Sequence, residues 1–171
     1  MKKFLGAIIS GAAGVLGFIL MSLDWATLKI KSLVLGKNVF NESYTGWDLI
    51  KDANDAMSEM DGYMIYKIFA IIMLVISALL IVFAVIMLLK SLGIIKGKFN
   101  LSAINNILLT LFLVCSIVAI IGLVIMGNDF VDANTVENLA KASYVAGVGL
   151  WLTLATGVIA TALGWSLARK D

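Results

Sequence analysis

The chain has 171 residues, is 61% apolar and 14% charged, carries a formal net charge of +2, and contains no histidine, no proline and a single cysteine. Its mean hydropathy of +1.03 and its apolar content set it apart from soluble domains, whose apolar fraction is about 45–50%. The absence of histidine excludes nucleophile–histidine catalysis and zinc or haem sites of usual ligation, so no cofactor and no enzyme activity are expected.

Four runs free of ionisable side chains, Phe4–Leu23, Ile68–Leu89, Phe99–Asn128 and Ala142–Ala168, make up more than half of the sequence. About 20 apolar residues cross a bilayer as a helix. Backbone amides in lipid must be paired within the segment, and these runs lack the alternation of barrel strands. The expected fold is therefore an all-α, four-transmembrane-helix bundle, a single membrane domain over residues 1–171, with spans at about 4–23, 64–90, 101–127 and 142–168.

The first run follows Lys2 and Lys3, as in a secretory signal. At about 20 residues its apolar part exceeds the 7–15 of such a segment, and no small-x-small cleavage site precedes Asp24, so it is read as a retained helix. Gly6, Ser10 and Gly14, with Ala13 and Gly17 on a neighbouring stripe, gather small residues on one face. Such faces let helices approach closely in lipid.

Residues 24–62 form a loop large enough for its own structure, an α/β-type subdomain of a short hairpin plus an amphipathic helix. Leu28–Val34 alternates and is rich in branched residues, Gly36-Lys37-Asn38 reads as a turn, and Val39–Tyr44 as a second strand. Thr45 and Asp48 stand three apart as a capping box. Beyond them Leu49, Ile50, Ala53, Met57 and Met60 recur at helical spacing, opposite Lys51, Asp52, Asn54, Asp55 and Glu59. Trp47 is far from both span ends, so interfacial anchoring does not explain it. It is either a core residue of the loop or a contact for a partner, and Tyr44, Trp47 and Asp48 are the candidate partner-binding patch.

In the second span Ala70, Ser77 and Ala84 recur at heptad spacing, a weaker small-residue signal than that of the first. In the third, Ser102 is a candidate N-cap. Asn105 and Asn106 fit interfacial hydration or interhelical hydrogen bonding better than a pore, because one adjacent pair is not a polar stripe. Cys115 is read as an apolar packing residue. The second loop, Gly127–Lys141, is short and acidic, and Asn134 with Glu137 suggests a start for the fourth helix. Within that helix Gly149, Thr153, Gly157 and Thr161 form one small-residue stripe, and Thr156, Ala160, Gly164 and Ala168 an adjacent one. The first and fourth helices are thus the tightly packed elements, against each other or against a second protein. Trp25, Trp151, Trp165, Tyr63, Tyr66 and Tyr144 fall near span ends, where anchoring accounts for most aromatics.

Basic residues in short flanks set orientation. Lys2 and Lys3, then Lys90, Lys96 and Lys98, then Arg169 and Lys170 define the inner side, which puts both termini in the cytoplasm. The outer loops carry ten acids against six bases. No concentrated basic face is available for nucleic acid, and the inner lysines suit anionic membrane lipids.

An inner N-terminus, a helix, a larger outer loop with strand character and Gly46-Trp47, a helix, a short basic inner loop, two further helices around a small outer loop, and an inner tail: this order resembles the claudin-like tetraspan architecture. The resemblance covers the whole chain as topology. Gly46-Trp47 is a fragment of that family's outer-loop signature, and its two loop cysteines are missing. Twelve lysines against one arginine suit an AT-rich bacterial source and hence a bacterial plasma membrane. The functional expectation is a non-enzymatic scaffold or accessory subunit. Its partner is another membrane or extracytoplasmic protein, or a second copy as a homo-oligomer. A small oligomeric channel or carrier and an immunity or sensing protein are the alternatives.

Overall fold

The computed structural model describes residues 2–51, 59–95 and 101–168. In chain order they form α1 (Lys2–Ile19) with a 3-10 turn at Leu20–Ser22, β1 (Asp24–Ser32), β2 (Asn38–Thr45), α2 (Gly46–Lys51), α3 (Tyr63–Ser91), α4 (Leu101–Asn134), β3 (Ala140–Ala146) and α5 (Val148–Ala168). Four of these helices are long and apolar enough to cross a membrane: Phe4–Ser22, Tyr63–Ser91, Leu101–Asn134 and Val148–Leu167. The 34 residues of α4 give it a length of about 50 Å at 1.5 Å per residue.

The chain divides into two compact units. One comprises Met1–Ile19, Ile72–Ser116 and Thr153–Asp171, the other Leu20–Ile71 and Ile117–Leu152. The regular structure described in the first is all helical, and it is packed around Ala13, Met73, Leu80, Leu109 and Phe112, all essentially inaccessible. The second combines helix segments with the three-stranded sheet.

That sheet is antiparallel throughout, in the order β2-β1-β3. β1 is central, with Leu28 opposite Glu42 on one side and Tyr144 on the other. Alternation puts Ala26, Leu28 and Ile30 on one face, with Phe40, Glu42, Tyr44, Ala142 and Tyr144 from the neighbouring strands; of these Glu42, on the edge strand, is exposed. Thr27, Lys29 and Lys31, with Asn41, Ser43, Lys141, Ser143 and the half-exposed Val145, take the other, mostly polar face. Ala26, Leu28 and Ala142 are buried, so the apolar face is the inner one. A register shift between Asp24 and Ala26 on the β2 side interrupts the alternation at Trp25. This β-bulge is why Trp25 is buried although it shares its parity with the outward lysines.

The hairpin lies where the sequence puts it, with altered bounds. β1 begins at Asp24 rather than Leu28 and stops at Ser32, and Leu33–Lys37 form the turn. Gly36 takes φ +67° there, a conformation glycine enters without the Cβ penalty.

The second loop differs more. The fourth helix begins at Val148, not near Ala142, because residues 140–146 pair with the free edge of β1. Six alternating residues, Lys141 to Ala146, suffice for this strand, and pairing satisfies β1 backbone groups that would otherwise be left open. Asn134 does not start a helix. It ends α4, where its amide Nδ2 donates to Phe130 O at 2.9 Å. α4 also runs past Gly127 through seven more residues. Gly127 marks a close approach rather than a helix end, since the Tyr144 ring lies where its side chain would be. Ser102 already lies within α4 rather than at its cap. Of the amphipathic helix expected after Asp48, Gly46–Lys51 is helical, and residues 52–58 fall outside the described residues.

Candidate partner-binding site

Tyr44, Trp47 and Asp48 sit where β2 passes into α2. The Thr45–Asp48 capping box is formed. The Thr45 N–H and hydroxyl donate to Asp48 Oδ2 at 2.9 and 2.7 Å, and the Asp48 N–H donates to Thr45 Oγ1 at 3.2 Å. One carboxylate thereby meets two donors at a helix start, where the local dipole also favours negative charge. The hydrogen bond from the Thr45 side chain, followed by that from its backbone, holds the Asp48 carboxyl below its usual range. Tyr44 donates its phenol to Glu42 Oε2. Burial first, and this hydrogen bond second, raise the phenol above its ordinary range. Trp47 is half-buried, with Lys51 Nζ 6.0 Å from the centre of its ring. Each residue of the candidate patch thus has a local partner, and Trp47 retains partly exposed aromatic surface.

Beneath the patch lies the junction that fixes it. Trp25 is 1% exposed, and its indole N–H donates to Leu20 O at 2.8 Å. Its ring meets that of Tyr66 edge to face at 5.9 Å and 67°, a favoured aromatic geometry. Tyr66, wholly buried, donates its hydroxyl to Gly46 O at 2.9 Å. Two glycines make room for the indole. A Cβ at Gly46 would lie 3.1 Å from Trp25 Cε2, and one at Gly149 would lie 2.6 Å from Trp25 Cδ1. Trp25, Tyr63 and Tyr66 are therefore core residues of this unit rather than edge anchors. The physical reason is that the bulge and the two glycines open a socket that an aromatic side chain fills. Tyr144 leans on Gly127, and its hydroxyl is buried without a hydrogen-bond partner. Trp151 and Trp165 are exposed.

The small-residue faces are used inside the chain. On α1, a Cβ at Gly14 would lie 2.6 Å from Ser77 O, one at Gly17 would fall on the Ser77 side chain, and one at Gly6 would lie 3.1 Å from the Met87 methyl. On α5, Gly157 faces Leu113, Gly164 faces Leu109 and Asn106, and Thr161 donates to Leu109 O at 3.0 Å. Thr153 is buried. The two glycine faces do not meet one another: α1 presents its face to α3, and α5 presents its face to α4. The signal underweighted in the sequence was therefore Ser77 with Ala84 on α3, the surface that receives α1. Ser10 Oγ lies 2.6 Å from Asn105 Oδ1, and Asn105 and Asn106 are both buried. For Asn105 this is interhelical hydrogen bonding, one of the two roles expected of the pair.

Gly62 and Gly122 also escaped the sequence reading. They are close enough that a Cβ at Gly122 would lie 2.6 Å from Tyr66 N and 2.9 Å from Gly62 O. No helical spacing announces them: Gly62 stands just before α3, and Gly122 is five residues from Gly127 rather than three or four.

No protein-family model matches the chain, and no curated protein is similar enough to count as a relative.

Proposed function

We propose that this protein is a non-enzymatic integral membrane scaffold or accessory subunit of claudin-like tetraspan architecture. In this reading the four long helices are inserted, both termini are cytoplasmic, and the sheet subdomain faces outward to hold a partner protein. The observation that carries it is the way the subdomain is built: the sheet buries Ala26, Leu28 and Ala142 on its inner face, leaves its mostly polar outer face open, and is locked at its base by Trp25, Tyr66, Gly46 and Gly149. Such a platform is preorganised, which lowers the ordering cost of binding. The small-residue faces, occupied by neighbouring helices of the same chain, contribute through internal packing. Contact with a partner then falls to the sheet subdomain and to the exposed part of Trp47.

The test is gentle detergent extraction from the native membrane. A stoichiometric partner should co-purify, and Trp47→Ala should weaken its retention while leaving the thermal unfolding midpoint near that of the parent. Recovery of a lone, monodisperse protomer would overturn the proposal.

A further inference from the structure

Two hydrogen-bonded turns lie side by side at the end of the sheet remote from Trp25. In the first, Ser32 N–H donates to Lys37 O and Gly36 N–H to Ser32 O, both at 3.0 Å, and Leu35 N–H donates to Ser32 Oγ at 3.1 Å. In the second, Leu139 N–H and Ala140 N–H each donate to Val136 O at 3.0 Å, with Asn138 at φ 63°. Leu33 N–H donates to Leu139 O at 2.9 Å and lashes the two together. This frame presents aliphatic side chains to the outside. Val34 is 73% exposed, Leu35 62%, Val39 57% and Leu139 57%, with Leu33 and Val136 about half exposed. Lys31 and Lys141 stand directly opposite each other on the outward face beside the tip, and Lys37 lies in the turn. Like charges paired across strands are destabilising, and among the described residues no carboxylate engages any of the three.

The tip also lies at the far end of α4's outward extension. Gly127 sits against Tyr144, which pairs with Leu28; Phe130 stacks on Phe40 at 6.3 Å, opposite Ile30; and Thr135, just past the helix end, accepts the Ala142 N–H at 3.2 Å. From Gly127 to Phe130, away from the apolar stretch of α4, the contact moves along β1 from Leu28 to Ile30, toward Leu33–Leu35. With the helices inserted as proposed above, on which this inference rests, the tip points away from the protein's own bilayer.

We infer that the paired turns at Leu33–Leu35 and Val136–Leu139 form an insertion tip for the headgroup layer of a facing, anionic lipid surface. Aliphatic side chains flanked by lysines are the composition of interfacial membrane contacts, with the apolar part entering the acyl boundary and the ammonium groups meeting phosphates. Protein hot spots favour Trp, Tyr and Arg, while Leu and Val are under-represented in them. The hydrophobic side chains of the tip are only of the latter kind, and its charges, Lys31, Lys37 and Lys141 against the exposed Glu137 of the second turn, leave a net positive tip that selects an anionic surface.

The experiment uses the full chain in phosphatidylcholine nanodiscs, mixed with vesicles of phosphatidylcholine with or without phosphatidylglycerol, and reads co-flotation against empty nanodiscs. Resistance of the bilayer-bound protein to alkaline extraction first checks insertion, and its failure would sink the membrane reading itself. With insertion established, the protein should float with anionic vesicles and not with neutral ones, and binding should weaken as salt rises. The double variant Val34→Asp, Leu35→Asp should lower the partition roughly tenfold or more, and Lys31→Gln with Lys37→Gln and Lys141→Gln should abolish the lipid selectivity. Both sets alter exposed side chains, and the lysine set keeps the apolar tip intact should the aspartates disturb the turn. Absence of binding, binding indifferent to both variant sets, or equal binding to neutral vesicles would overturn the inference.

Discussion

Replacing Gly14 with alanine tests how closely α1 and α3 approach. The added methyl carbon would lie 2.6 Å from Ser77 O, 2.7 Å from Ile81 Cγ1 and 3.2 Å from Ile81 N. Two of these atoms belong to the α3 backbone, so no rotamer change relieves the contact. The helices must separate by several tenths of an ångström, loosening Gly17 from Ser77 as well. Overpacking of this kind costs about 1–3 kcal/mol, which for a chain of this size corresponds to a lowering of the unfolding midpoint by roughly 2–12 °C. Gly11, three residues earlier, supplies the control. A methyl there would lie 3.4 Å from the Ala84 methyl, an ordinary contact. Alanine's better helix propensity, worth up to about 1 kcal/mol over glycine, should leave Gly11→Ala as stable as the parent or slightly more so. The assay is thermal unfolding of the two purified variants in the same detergent. Equal midpoints for Gly14→Ala and parent, or a larger loss at Gly11 than at Gly14, would refute the geometry argued for this interface.

The Ser10–Asn105 contact should appear as a positive coupling in a double-mutant cycle of Ser10→Ala and Asn105→Ala. With the helices inserted as proposed, a value of about 0.6–1.7 kcal/mol is expected for this interhelical hydrogen bond, and additive single effects would dismiss it. The Asp48 cap should depend on pH in one direction only. Because the Thr45 hydrogen bonds hold its folded-state carboxyl below the ordinary aspartate range, the cap contributes fully at and above that range and is lost as the pH falls through the depressed pKa. Protection of the Asp48 amide against hydrogen exchange should therefore hold from neutral pH down to about 4 and collapse below. Asp48→Asn should show no such step, and a step of equal size in that variant would assign the effect elsewhere.

Much of the fold was legible because membrane helices and tight turns are written locally. Four uncharged runs of sufficient length, the Gly36-Lys37-Asn38 turn and the Thr45–Asp48 spacing each carry their own structural signal. β3 was hidden for a physical reason: residues 140–146 overlap the start of the fourth apolar run and are largely apolar, so they read as the start of that helix, and they become a strand because β1 offers an open edge. The patch around Trp47 was legible as a cluster in sequence together with the Asp48 cap, but not the hydrogen bond from Tyr44 to Glu42. The apolar tip was concealed differently, since Leu33 and Val34 read equally well as the end of a strand.

By itself the amino-acid sequence determined the number of long apolar helices, the hairpin between the first two and the small-residue faces, because hydrophobic length, turn chemistry and helical spacing are properties of neighbouring residues. Which face meets which helix was decided only by the tertiary structure. Gly14 and Gly17 have the same spacing whatever they touch, and Ser77 becomes their counterpart only when α3 lies against them. The same holds for Trp25, whose position near a helix end suggests an anchor. Only the bulge in β1, with Gly46 and Gly149 arriving from distant parts of the chain, makes the socket that buries it.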